Sequence, residues 1–165
     1  MQMQVYISVI GVGTEREELN TLAYEVGRLV AGRGAILVCG GLGGVMDAAA
    51  RGAKEAGGVT VGILPGPSRA GASKHLDVAI PTDMGHARNA LVALAADIVI
   101  AIGAGYGTLS EIGLTLKMGK PVIGLKTWVL YREGREDEGV IPANTADEAV
   151  ETAFRIIHER EGNAS

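Results

Sequence analysis

The most regular feature of the sequence is an alternation between short apolar runs and longer amphipathic segments. The apolar runs are rich in β-branched residues and predict strands at 5–10, 35–38, 59–64, 77–80, 97–102 and 121–125. Apolar positions at helical spacing predict the intervening and final helices, at 19–30, 46–53, 86–96, 109–117 and 146–157. Residues 126–142 follow neither period, so we expect an irregular segment there.

This alternation predicts the α/β fold class. Strands that are joined through helices by short turns form right-handed crossovers, and therefore a mostly parallel sheet with helices on both faces. The uninterrupted apolar run 97–102 is typical of a central strand that is buried on both sides. We predict a Rossmann-like three-layer sandwich, in which ligands bind beyond the carboxyl ends of the strands.

Composition narrows the choice of partners and of cellular compartment. The 165 residues have the length of one domain, and the net charge of −4 includes no basic block that would suit a nucleic acid. The single cysteine, Cys39, has neither a disulfide partner nor the companions of a zinc site. No export signal or membrane span is visible. We therefore expect one domain over residues 1–165, in the cytoplasm, without a nucleic-acid, membrane or metal partner.

Glycines are concentrated in the turns that follow predicted strands. The chain has 25 of them, about twice the usual share of ~7%. The first cluster lies between a strand and a helix, where unpaired amides and the helix dipole favour an anion such as phosphate. We expect Gly40, Gly41, Gly43 and Gly44 to bind a phosphate-bearing ligand. The alternative is a tight turn that only allows the helix to pack closely.

A second glycine turn follows the most apolar strand. We expect its residues to surround the same ligand: Gly103, Gly105, Tyr106, Gly107 and Thr108. Because both turns follow neighbouring strand ends in this interpretation, they would form one site. Glu111 then lies beside the ligand, where its carboxylate can contact it or take part in catalysis.

A structural alternative exists for Thr108 and Glu111. The spacing Thr-x-x-Glu is also a capping box, in which the two side chains satisfy amides at a helix start. The same spacing recurs at Thr14 with Glu17 and at Thr145 with Glu148. We expect two of the three boxes to be caps only.

The segment 83–89 precedes the helix that leads into the central strand. It places an imidazole, a guanidinium and an amide at one junction, as His86, Arg88 and Asn89, and we expect Asn89 to be among the ligand-binding residues. Arg88 can bind a phosphate or carboxylate through two hydrogen bonds, whereas its alternative is a solvated surface arginine. His86 is more typical of a helix start than of a catalytic base.

These motifs resemble the Lonely Guy (LOG) superfamily, whose hallmark is P-G-G-x-G-T-x-x-E. The resemblance covers residues 5–125 and rests on Gly40-Gly-x-x-Gly-x-Met46, on Arg88 and on Gly105-Tyr-Gly-Thr-Leu-Ser-Glu111. It implies a LOG-like nucleotide-binding domain, with Arg88 and Glu111 as a catalytic pair and Met46 among the ligand-binding residues. Members with the hallmark are phosphoribohydrolases, which release the base of a nucleoside 5′-monophosphate by hydrolysing its N-glycosidic bond.

Four positions depart from the hallmark pattern. Gly103 replaces its proline, Ala104 a glycine, Cys39 a glycine that often precedes Gly40, and Asn89 a lysine that commonly follows the arginine. With these departures the chain resembles a shorter branch of the superfamily, which is similar to the molybdenum-cofactor carrier proteins. Those proteins hold a phosphorylated pterin without converting it.

Two functions follow from the resemblance. As a phosphoribohydrolase, the protein would use Glu111 to stabilise an oxocarbenium-like state. As a carrier, it would bind molybdenum cofactor or a related nucleotide-like ligand without turnover. Neither function requires a resident cofactor. The polar stretch 68–74 is expected to be a mobile loop that can close over the ligand.

The resemblance also implies a homodimer or higher homo-oligomer. Helices at 91–96 and 109–118 can supply the interface between its subunits.

Overall fold

The computed structural model describes residues 3–164, and within this range seven parallel strands form one sheet. The strands of this sheet are β1 (Tyr6–Gly11), β2 (Ile36–Cys39), β3 (Thr60–Leu64), β4 (Val78–Pro81), β5 (Ile98–Ile102), β6 (Val122–Leu125) and β9 (Val140–Ala143). The helices are α1 (Glu17–Gly32), α2 (Val45–Glu55), α3 (Asn89–Ala95), α4 (Tyr106–Lys117) and α5 (Ala146–Asn163). The predicted Rossmann-like three-layer α/β fold is confirmed.

Two apolar layers lie on opposite faces of the sheet. On one face, β1 and β5 pack against α1, α2 and α5, with Val26, Ala49 and Ala153 fully buried. On the other face, α3 and α4 cover the sheet, with Val92 and Ile112 fully buried. Every residue of β5 is buried, as the uninterrupted apolar run predicted.

The strand order determines where the loops meet. Across the sheet the strands lie in the order β4-β3-β2-β1-β5-β6-β9. The chain therefore builds the sheet outward in one direction from β1 to β4 and in the opposite direction from β5 to β9, so the strand order reverses between β1 and β5. Ligands of open parallel sheets bind beyond the carboxyl ends of the strands at such a reversal. The expectation that the two glycine turns follow neighbouring strands is wrong, because β1 lies between β2 and β5 and pairs with both.

Residues 126–142 contain structure that the sequence pattern did not predict. Tyr131–Arg132 (β7) and Arg135–Glu136 (β8) form a short antiparallel hairpin, and β9 then pairs in parallel with β6. The strand β9 is short, only partly buried and contains Pro142, which an edge strand tolerates. Such a segment has too few alternating positions to stand out by periodicity.

The three Thr-x-x-Glu patterns differ in the folded chain. Thr145 caps α5, because its side chain accepts a hydrogen bond of 3.1 Å from the amide of Glu148. Thr14 caps nothing, since α1 has Arg16 as its N-cap residue and no side-chain cap. Only one of the two patterns expected to be caps is therefore a cap.

Cys39 lies in the apolar interior. Cys39 is fully buried at the end of β2, and burial raises the pKa of its thiol to about 11. Its environment is that of a small apolar side chain. None of the helices within residues 3–164 has the length and apolar character needed to cross a membrane.

Candidate functional site

The site is built around the loop that follows β1. A Cβ added at Gly44 would overlap the backbone of Val12 and Gly13, and one added at Gly105 would lie 3.1 Å from the Val12 side chain. Gly103 lies near the same valine and has a φ of +80°, a left-handed conformation that favours glycine. The β1 loop therefore packs against both glycine turns, and at Gly44 its backbone leaves no room for a side chain.

The amino terminus of α4 carries unsatisfied donors. The amide of Leu109 makes the first helical hydrogen bond, 2.9 Å to the carbonyl oxygen of Gly105. Within residues 3–164, the amides of Tyr106, Gly107 and Thr108 have no hydrogen-bond acceptor. Unpaired amides at the positive end of the helix dipole favour an anion. The sequence predicted ligand-binding residues at these three positions.

The loop after β6 holds the Gly103–Gly105 turn in place. The hydroxyl of Thr127 donates to the carbonyl oxygen of Gly103 at 2.7 Å, and the indole nitrogen of Trp128 donates to that of Gly105 at 3.0 Å. Carbonyl oxygens of this turn are thus satisfied by the protein, whereas the amides that follow are not. The turn therefore leaves amides, which can donate to an anion, available to a ligand.

The amino terminus of α2 differs from this arrangement. The amide of Val45 donates to the carbonyl oxygen of Val12 at 3.0 Å, and the amide of Gly44 donates to Oε1 of Glu15 at 3.1 Å. Glu15 accepts a second bond of 2.6 Å from Nδ2 of Asn20. The expectation that this turn presents unpaired amides is therefore wrong at two positions, Gly44 and Val45, because the β1 loop accepts hydrogen bonds from both. Ligand contact by its glycines stays a prediction.

Arg88 is a buried cation that has no ion-pair partner among residues 3–164. It lies at the end of a 3₁₀ turn (Gly85–Arg88), is 8% exposed, and its Nε has no hydrogen-bond partner among the described residues. Removal from water lowers the pKa of Arg88, and the nearby charges of Glu111 and Cys39 oppose this effect. Because a guanidinium stays protonated in proteins, its burial without a partner is costly, and an anionic ligand would relieve that cost.

Glu111 lies in the second turn of α4, near enough to Arg88 for their charges to interact. It is 8% exposed, and burial raises the pKa of its carboxyl group to about 7 although the Arg88 charge lowers it. Within residues 3–164 the two side chains make no ion pair, so their attraction acts across a gap. The capping alternative for this residue is wrong, because α4 begins at Tyr106 and Thr108 is not its N-cap.

A chain of hydrogen bonds connects the start of α3 with the first turns of α4. Nδ2 of Asn89 donates to the hydroxyl of Ser110 at 3.1 Å, and that hydroxyl donates to the carbonyl oxygen of Gly107 at 2.7 Å. Thr108 is 2% exposed and its hydroxyl has no partner in the described range. The start of α3, with the adjoining Arg88, is thus held next to the α4 amides.

Three elements of the site were not predicted: Glu15, Trp128 and a cluster around Asp47. The Asp47 carboxylate accepts a hydrogen bond of 2.6 Å from the hydroxyl of Ser73 and lies 3.1 Å from Nδ1 of His75. Burial raises the pKa of Asp47, but these two contacts outweigh it and hold the pKa below its usual value. For Glu15, the available signal was an acidic residue two positions after Gly13.

The loop at 68–74 is bonded to the site at one end. The amide of Ser73 donates to the carbonyl oxygen of Gly41 at 2.8 Å, which joins the loop to the first glycine turn. Closure of this loop over a ligand stays a prediction. His86 is exposed and has no polar partner within residues 3–164. In the same range, no group of three or more His, Cys, Asp or Glu side chains could hold a metal ion.

Two solved structures are similar to this protein over nearly its whole length. The molybdenum cofactor binding protein of Rippkaea orientalis is 36% identical with a TM-score of 0.86, covering 95% of this chain and 99% of its own. The molybdenum cofactor carrier protein of Chlamydomonas reinhardtii is 34% identical with a TM-score of 0.82, covering 94% and 99%.

Two further relatives are similar in sequence. An uncharacterized protein of Archaeoglobus fulgidus is 46% identical over 144 residues, which cover 87% of this chain and 91% of that protein. A cytokinin riboside 5′-monophosphate phosphoribohydrolase of Mycobacterium tuberculosis is 37% identical over 121 residues, which cover 67% and 64%. The chain thus spans less than two thirds of the mycobacterial enzyme.

The family assignment agrees with both the motifs and the fold. The motif-based resemblance to the LOG superfamily is confirmed by a family model that matches residues 4–150. The same residues contain β1 to β6, both glycine turns, Arg88 and Glu111. This protein belongs to the SLOG cluster4 family.

Proposed function

We propose that this protein binds a phosphorylated, ring-containing small molecule and acts as a carrier of molybdenum cofactor. The observation that carries the proposal is the set of donors without an acceptor among residues 3–164: the first three amides of α4 and Nε of the buried Arg88. The hydrogen bonds from Asn89 to Ser110 and from Ser110 to Gly107 join the two elements that carry these donors. A buried guanidinium nitrogen is normally paired, and the free amides at a helix start favour an anion, so the two together suit an anionic ligand. The molybdenum-cofactor proteins similar to this chain support the choice of cargo.

The phosphate of the cargo would bind at the amino terminus of α4. Amides of Tyr106, Gly107 and Thr108 can each donate to a phosphate oxygen without any change in the helix. Gly103 suits this turn because its φ is positive and a Cβ there would lie 2.7 Å from Cδ1 of Leu19, and a Cβ at Gly105 would lie 3.1 Å from the Val12 side chain. This role uses the glycine turn as a rigid support and requires no catalytic group.

Arg88 would provide the second anchor. Its planar guanidinium can donate two parallel hydrogen bonds to an anionic group, and its burial excludes competing water. Gly40 leaves room for this guanidinium, because a Cβ at residue 40 would overlap Nη1 of Arg88 and would lie 2.6 Å from Sδ of Met46. Glu111, with its pKa near 7, carries only part of a negative charge at neutral pH and therefore repels the anion less than an ordinary carboxylate.

The proposal is tested by loading the purified protein with molybdenum cofactor released anaerobically from a molybdoenzyme. We expect stoichiometric retention of molybdenum and pterin after gel filtration, measured by elemental analysis and by pterin fluorescence. Arg88→Gln should weaken retention about tenfold or more, because a charge-assisted pair is lost. Arg155→Gln, at an exposed position of α5, is the matched control and should retain the cargo. Absence of retention by the unmodified protein would contradict the carrier function.

Hydrolysis of a nucleoside 5′-monophosphate is the second candidate. The observation that favours it is Glu111 itself, because a buried carboxyl group with a pKa of about 7 is suited to proton transfer near neutral pH. The mycobacterial phosphoribohydrolase supports it over part of the chain. If it is correct, incubation with a panel of nucleoside monophosphates releases free base, and Glu111→Gln abolishes release while nucleotide binding persists. A carrier releases no base.

We also propose that residues 1–165 act as one LOG-like nucleotide-binding domain, in the cytoplasm and as a homodimer or larger homo-oligomer. The exposed apolar side chains of Leu94 and Met118, 59% and 37% accessible, lie on α3 and directly after α4 and could be covered by a second copy. Light scattering on the purified protein tests the oligomeric state.

A further inference from the structure

Tyr106 is the most exposed of the large hydrophobic side chains in the described chain, and it lies at the anion-binding end of α4. It is 84% accessible and is the first residue of the helix. Its own amide is one of the three unpaired donors. An aromatic ring and a phosphate-binding amide thus belong to the same residue, and the exposure of the ring lacks an explanation in the packing of the monomer.

The ring of Tyr106 is supported from behind. It packs on the indole of Trp128 with ring centroids 5.7 Å apart and an interplanar angle of 36°. Trp128 is itself held by its hydrogen bond to the carbonyl oxygen of Gly105 and packs on the apolar layer beneath α4. An aromatic side chain that is positioned by a second ring loses little conformational freedom when a third ring stacks on it.

We propose that Tyr106, supported by Trp128, is a stacking platform for the planar heterocycle of the phosphorylated ligand. This inference rests on the proposed function and adds the residue that selects for a ring. The Tyr106 amide is one of the three proposed phosphate donors, so the ring of the same residue adjoins the place where the rest of the ligand would lie. The buried, unpartnered Thr108 hydroxyl in the same helical turn is an independent sign of a ligand there. The ring can be a purine or a pterin, since both have a π face.

The platform is tested by comparing ligands with and without a ring. Ribose 5-phosphate, AMP and a phosphorylated pterin are titrated while the fluorescence of Trp128, the single tryptophan, is recorded. We expect AMP or the pterin to quench this fluorescence and ribose 5-phosphate to leave it nearly unchanged. Whichever of the two ring ligands binds more tightly identifies the heterocycle.

Variants then separate stacking from anion binding. Tyr106→Ala should weaken the ring ligand about tenfold and change the affinity for ribose 5-phosphate less than about twofold, whereas Tyr106→Phe should bind like the original. Tyr131→Ala, at another exposed tyrosine on the β7–β8 hairpin, is the control. Because Tyr106 is exposed, its replacement should leave the fold intact.

Three outcomes would overturn the proposal. If Tyr106→Ala leaves the ratio of AMP to ribose 5-phosphate affinity unchanged, and the same holds for the pterin, the platform is absent although anion binding stands. If the variant changes only the oligomeric state, Tyr106 is a subunit contact. If the original protein binds neither inorganic phosphate nor any of the three probes, the proposed function fails and the platform fails with it.

Discussion

The guanidinium of Arg88 lies directly above the Cα of Gly40, so that a Cβ at residue 40 would overlap its Nη1 atom. The same Cβ would lie 2.6 Å from Sδ of Met46. Both neighbours are the ends of flexible side chains, which can move aside at small cost. Position 40 therefore controls where Arg88 is placed and has less influence on whether the chain folds.

Gly40→Ala should consequently weaken ligand binding about tenfold while it changes the free energy of unfolding by less than about 1 kcal/mol. Isothermal titration with AMP or molybdenum cofactor and urea denaturation measure the two effects. Gly113→Ala is the matched control, because a Cβ there meets nothing within 4 Å. It should stabilise α4 by about 0.5–1 kcal/mol without a change in affinity. Equal loss of affinity in both variants would contradict the positioning role.

The raised pKa of Glu111 predicts a pH dependence of stability. Its carboxyl group titrates at about 7 in the folded protein and near 4.5 in the unfolded chain, so the folded protein holds an extra proton between these values. The free energy of unfolding should therefore fall as pH rises through this window, by on the order of 3 kcal/mol from this group. Below the window, both states are protonated and the effect is absent.

Urea denaturation of the original protein and of Glu111→Gln over this pH range measures the Glu111 contribution. Because glutamine does not titrate, the variant should lose less stability between about pH 4.5 and about pH 8. Identical pH profiles for the two proteins would show that the Glu111 pKa is close to that of a free glutamate.

The Thr145 cap predicts a difference between two similar substitutions. Thr145→Ala removes the hydrogen bond to the amide of Glu148 and should lower the free energy of unfolding by about 1 kcal/mol. Thr14→Ala alters the same sequence pattern at a position that caps no helix. This variant should change the free energy of unfolding by less than about 0.5 kcal/mol. Chemical denaturation compares them, and an equal cost would assign a cap to Thr14.

Cys39 should be unreactive in the folded protein. Its thiol is fully buried, and a pKa of about 11 leaves little thiolate at pH 8. Iodoacetamide followed by intact-mass spectrometry should detect no adduct under native conditions and one adduct per chain in urea, since the chain has one cysteine. Rapid native labelling would mean that the end of β2 opens readily.

Much of the fold could be predicted because its signals are local. The run 97–102 corresponds to β5 (Ile98–Ile102) with every residue buried, and the helical spacing after Gly11-Val-Gly13 corresponds to α1. Glycines at the carboxyl ends of strands marked the edge at which the site lies. In each case the pattern reflects which side chains face the core, and that pattern is carried by neighbouring residues.

Other features depended on contacts between distant parts of the chain. The edge strand β9 forms by pairing with β6, and its partly exposed residues show little periodicity. Three identical Thr-x-x-Glu spacings gave one cap, because helix starts are determined by packing as well as by the motif. The hydrogen bond from the Gly44 amide to the Glu15 carboxylate joins residues that are 29 positions apart.

The sequence by itself determined the parallel α/β architecture, the family, and the two glycine turns with Arg88 and Glu111 as the residues of interest. Only the tertiary structure decided that β1 lies between those turns, that the Gly44 and Val45 amides are hydrogen-bonded to the β1 loop, and that Arg88 and Glu111 are buried without a mutual ion pair. The reason is physical. Periodicity and turn chemistry depend on local backbone geometry, whereas burial, pKa and the satisfaction of an amide depend on groups that folding brings together from distant positions.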